Sequence, residues 1–129
     1  MKKTIALLLL IVVLFSGCGA PAAQEDYGSF TTAKTSCYDE VYYAQTTRFK
    51  NDEGVLVTVV DICSAENGAI KYSIITDTSS EFWGFCWEKD SYNIWIQTSK
   101  GLLCYKKAEF EWVLDETAQK PEYIIEKTK

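Results

Sequence analysis

The sequence predicts an all-β domain: a small antiparallel meander of about seven to eight strands, arranged as a sandwich or a barrel. Three observations carry that expectation. Runs rich in β-branched and aromatic residues recur at short intervals. The breaks between them are built from Gly, Asn, Asp and Ser, which turn a chain. Proline, which cannot join a hydrogen-bonded ladder, is kept out of the runs.

The strands follow in order. "VYYAQTTRF" (41–49) leads, and "VLVTVVDIC" (55–63) is nearly continuous β-branched sequence. Next come "AIKYSIIT" (69–76), "FWGFCW" (82–87), "YNIWIQT" (92–98), "LLCYK" (102–106) and "FEWVL" (110–114). The connecting stretches "KNDEG", "SAENG", "DTSSE", "EKDS" and "SKG" are short and polar, as hairpins require. Residues 106–120 lack helix breakers, but Phe110, Trp112 and Leu114 alternate with Glu109, Glu111 and Val113. That period of two places a strand there. "PEYIIEK" (121–127) offers a last edge strand, and a short helix near residues 33–45 fits the same class.

The start of the chain is different. Lys2 and Lys3 precede eleven apolar residues, Ile5 to Phe15, and small residues follow. This is the order of an export signal. The run is too short for a finished membrane span, which takes about 20 residues. The stretch "LFSGC", ending at Cys18, resembles the lipobox of bacterial lipoproteins, with Phe15 where leucine is usual. The resemblance implies removal of residues 1–17 and a diacylglyceryl group on the sulfur of Cys18. It places the mature protein on the outer face of a bacterial cell membrane, held by two acyl chains, enough for stable attachment. Residues 18–36, rich in Ala, Gly, Ser and Thr, read as a tether, and residues 37–129 as one β-rich domain.

Composition then narrows function. Removing Lys2 and Lys3 leaves 11 basic against 18 acidic residues, a net charge of −7. Such a chain is a poor partner for nucleic acid. The sequence has no histidine, so Ser-His-Asp and Cys-His nucleophile pairs and histidine metal sites have no source. No phosphate loop, metal loop or other cofactor motif is present, and an enzyme is not the expectation. A carboxylate-dependent hydrolase is the catalytic alternative, with Asp61, Glu81, Glu88, Asp90, Glu109 and Glu111 as its acids. Asp61 stands out because it interrupts an apolar strand, and it faces inward if Val55, Val57 and Val59 do.

Beyond Cys18 the chain has four cysteines: Cys37, Cys63, Cys86 and Cys104. An even count in a small exported domain points to two disulfides. Buried free thiols are the alternative. A four-thiolate zinc site fits less well, since the spacings of 26, 23 and 18 residues contain no close pair. If Trp87 pairs with Tyr92 and Thr98 with Leu102, Cys86 and Cys104 fall on opposite faces of the sheet. A bulge at Gly84 or Gly101 would change that parity.

The same register sorts "FWGFCWEKDSYNIWIQ" (82–97). Trp83, Phe85 and Trp87 share an apolar face with Tyr92, Ile94 and Ile96, which reads as core. Trp95 lies on the other face between Asn93 and Gln97, with Tyr105 across from it. An aromatic flanked by amides suits stacking on a sugar ring or gripping a peptide. Trp95, Asn93, Gln97 and Tyr105 are therefore the candidate binding residues. The expectation is a membrane-anchored module that binds a protein, peptide or glycan. The alternative is a structural component of an envelope complex that assembles through an edge strand.

Overall fold

A computed structural model describes residues 27–126. Their regular structure is entirely β. The strands are β1 (Thr35–Ser36), β2 (Tyr42–Lys50), β3 (Leu56–Ser64), β4 (Ile70–Thr78), β5 (Phe82–Trp87), β6 (Ile94–Thr98), β7 (Gly101–Ala108) and β8 (Glu111–Leu114). They form two four-stranded antiparallel sheets, β1-β2-β3-β4 and β5-β6-β7-β8. Each sheet is a simple meander, and the two pack as an unclosed sandwich.

Alternation explains the packing. In the first sheet Ala44, Val60, Ile62 and Ile74 face the second, which answers with Phe85, Trp87, Ile94, Ile96 and Trp112. The indoles bury their rings and still find acceptors, as buried tryptophan requires. Trp87 donates to the Thr35 carbonyl at 2.9 Å and Trp112 to the Tyr92 carbonyl at 2.7 Å.

A second apolar layer lies on the outer face of the β5–β8 sheet. Cys86 and Cys104 both sit opposite Trp95 in the ladder, one on each side of β6. Phe30 and Ile124 close over them. The cover comes from the two ends of the described chain. Thr31 exchanges backbone hydrogen bonds with Phe85 at 2.9 Å, and Ile125 N–H bonds the Gly28 carbonyl at 3.0 Å.

Several expectations are corrected here. No helix forms over 33–45; that region holds β1 and the start of β2. Residues 27–36, read as tether, are packed into the domain through Phe30, Thr31 and β1. Residues 121–126 form no strand, although Ile124 is buried. A register shift between Phe82 and Gly84 breaks the alternation in β5. Phe82 therefore packs against the main core, while Trp83 is left half-buried outside it. Gly84 permits this with φ 152°, and its missing Cβ leaves room for Phe30 and Thr31, whose atoms come within 3.1 Å of where it would stand.

The ladders define two ends of the sandwich. One carries the connections 37–41, 65–69, 88–93 and 109–110. Tyr27 lies at this end too, because its segment runs antiparallel to β5 from the Thr31–Phe85 bridge and Cys86 Sγ–H bonds the Tyr27 carbonyl at 2.9 Å. The other end carries the connections 51–55, 79–81 and 99–100.

Candidate functional site

The four candidate binding residues do not form one exposed patch. Trp95 is only 3% exposed and Gln97 only 1%. Both belong to the covered outer layer of the second sheet. The Trp95 indole donates to Glu88 Oε1 at 3.2 Å. Asn93 Nδ2 donates to Glu88 Oε2 at 3.0 Å, and the Ser91 hydroxyl donates to the same oxygen at 2.7 Å. Asn93 and Trp95 thus meet, but on a carboxylate that organises the loop 88–93. Gln97 Nε2 donates to the carbonyls of Thr98 and Gly101 at 2.9 and 3.1 Å, bracing the β6–β7 turn. Tyr105 pairs with Ile94 and lies on the opposite, core-facing side.

Tyr105 instead lines a cleft between the sheets. Its apolar walls are Ile96, Leu102, Leu103 and Tyr105, and Thr76 and Asp77 of β4 form the opposite lip. The volume is about 180 Å³, the scale of one side chain or one ring. Lys100, at the tip of the β6–β7 turn, reaches over the mouth to Asp77 at 3.1 Å and Glu81 at 3.5 Å. The Thr78 amide and Lys100 hold the Asp77 carboxyl below its ordinary value, and hydrogen bonding to Asp77 raises Lys100. A general acid needs the reverse shift. The arrangement suits recognition: an apolar slot with a charged rim whose ions are already paired.

The other singled-out groups are structural in place. Asp61 shares a face with Val57 and Val59, but it is the outward face, since Val60 and Ile62 fill the core. The Thr47 and Ser73 hydroxyls donate to its two oxygens at 3.0 and 2.7 Å. The expected disulfides are absent: Cys37, Cys63, Cys86 and Cys104 are all free and buried. Geometry gives the reason. Cys86 and Cys104 share a face, contrary to the sequence register, because β7 pairs with Gly101 rather than Leu102 opposite Thr98, which moves Cys104 from opposite Ile96 to opposite Trp95. They are separated by the whole of β6, roughly twice the 4.8 Å strand spacing, beyond disulfide reach. Cys37 points into the main core, while Cys63 is opposite Tyr43 on the outward face. Among the described residues no His, Cys, Asp or Glu cluster is placed to hold a metal ion.

Sequence reading missed the cleft because its walls come from both sheets. The one signal in reach was "SKG", a tight turn carrying a lysine toward "TDT" and Glu81. Cys18 and the export segment lie outside the described residues. Comparison finds no protein-family model, no curated protein and no solved structure that matches this chain.

Proposed function

We propose that this protein is a lipid-anchored binding module on the outer face of a bacterial membrane, which grips an apolar group of a protein, peptide or glycan in the cleft at Tyr105. The observation that carries the reading is that cleft. It is concave, apolar within, charged at the rim, and set at the end of the sandwich opposite Tyr27. A domain held through Cys18 would present such a slot away from the membrane. The lipobox resemblance supplies the anchor.

Assembly through an edge strand is less well supported. β4 is the long edge of its sheet, but its pairing with β3 shifts register twice, and Lys71 and Asp77 lie along it. Bulges and charges are how sheets blunt an edge.

The test is a photo-crosslinking residue placed at Leu103, in the cleft, and separately at Val113, outside it, in the full chain in its own cells. A discrete protein or glycan adduct from position 103, missing at 113 and lost in Tyr105→Ala, is the expected result. The same products from both positions, or none from 103, would overturn the proposal.

A further inference from the structure

The end of the sandwich at which Tyr27 enters is also where large apolar side chains stand in the open. Phe110 is 87% exposed at the tip of the β7–β8 turn. Ile125 is 70% exposed and Ile70 57% exposed, with Tyr38, Val41 and Tyr123 exposed beside them. The Phe110 tip is fixed: Glu109 holds φ at 57°, and Lys107 Nζ donates to the Glu109 carbonyl at 2.6 Å. Ile125 is fixed by its bond to Gly28.

We infer that this end docks on the lipid surface, with Phe110 and Ile125 entering the headgroup–acyl boundary. The inference rests on the proposal that Cys18 carries the anchor. Cys18 lies nine residues before Tyr27, a span of at most about 30 Å. The bilayer is therefore the surface this end meets most often. So short a connection keeps the two at high effective concentration, and a face too weak to bind alone still docks. Tyrosines around an apolar centre suit the membrane–water boundary, where an apolar ring and a polar hydroxyl are both satisfied. Charge on this end leans acidic, Asp39, Glu40, Glu66, Asp90, Glu109 and Glu122 outnumbering Lys71, Lys89 and Lys107, so anionic headgroups would not draw it in. The contact is apolar rather than ionic, so it forms on zwitterionic lipid and survives added salt.

The experiment couples isotope-labelled residues 18–129 through Cys18 to a maleimide lipid in phosphatidylcholine nanodiscs that carry a nitroxide headgroup. The four buried thiols stay out of the coupling. The chemical link makes the result independent of whether cells lipidate Cys18, which the mass of the mature N-terminus from cells decides separately. Amides of residues 108–111 and 123–126 should relax several-fold faster than those of 51–55 and 99–101, at low salt and at high. The double variant Phe110→Ser, Ile125→Ser changes only exposed side chains and should remove the difference. Equal broadening at both ends in the wild type, or an undiminished difference in the double variant, would overturn the inference.

Discussion

The phenol of Tyr92 donates to Asp39 Oδ2 at 2.5 Å, tying the loop after β5 to the turn before β2 and so one sheet to the other. Tyr92 also packs edge-on against Tyr42, with ring centroids 5.1 Å apart. For Asp39, burial pushes its carboxyl up, but the bonds from Tyr92, Val41 and Cys37 outweigh it and hold the group below 3.8. A depressed carboxylate stabilises the fold above its unfolded value near 4, and that stability is lost as pH falls through the folded value. Tyr92→Phe should therefore lower stability at pH 7 by about 1 kcal/mol, a figure reduced for the exposure of Asp39. The gap should shrink below pH ~3. Urea unfolding of both proteins across that range checks it.

Trp95 is a structural residue by its surroundings, enclosed by Cys86, Cys104, Phe30 and Ile124. Trp95→Ala should cost about 3–5 kcal/mol in unfolding free energy. Trp95→Phe keeps most of the ring but leaves Glu88 Oε1 without the indole donor, and should cost about 1–2 kcal/mol. Chemical denaturation measures both.

Gly84→Ala would set a Cβ 3.1 Å from the Thr31 backbone and the Phe30 Cβ, in a conformation that side chains rarely adopt. Backbone on one side and a packed ring on the other leave little room to relax. The change should cost about 1–3 kcal/mol and loosen the 27–33 cover. Limited proteolysis should then cut near residue 30 while the sandwich survives.

The four thiols should be silent in the folded protein. Burial, joined by the Glu88 and Asp115 charges, pushes Cys104 up to about 12, and burial also raises Cys37 and Cys63. Iodoacetamide at pH 8 should add nothing at these positions until the chain is unfolded, and should then modify all four. A raised thiol holds its proton more tightly when folded, so its contribution is intact below pH ~9 and lost as pH climbs toward 12. Stability should fall along that alkaline limb without reducing agent making any difference.

Seven of the strands were legible because each carries its own signal. The runs around Val59, Ile74 and Ile96 are β-branched and bounded by turn residues, and they pair with their sequence neighbours. β1 was not legible, since two residues hold no period. The cover was missed for a related reason. Phe30 and Ile124 are single buried residues in polar or irregular stretches, and only the tertiary arrangement gives them a partner. Trp83 went to the wrong side because one bulge at Gly84 inverts every side chain before it. The β6–β7 turn, one residue tighter than the sequence register has it, likewise put Cys104 opposite Trp95, so the two central cysteines fell on one face. Of the candidate binding residues only Tyr105 lines the cleft, whose far lip, Asp77, arrives from the other sheet.

Every ladder in both sheets joins strands adjacent along the chain, and residues 79–81 are the sole covalent passage from the first meander to the second. Each half can zip up hairpin by hairpin, closing only short loops at little entropic cost. The slow event is then the collapse of one finished meander onto the other. Severing the backbone at Ser80 should leave two fragments that recognise each other when mixed and rebuild the same core.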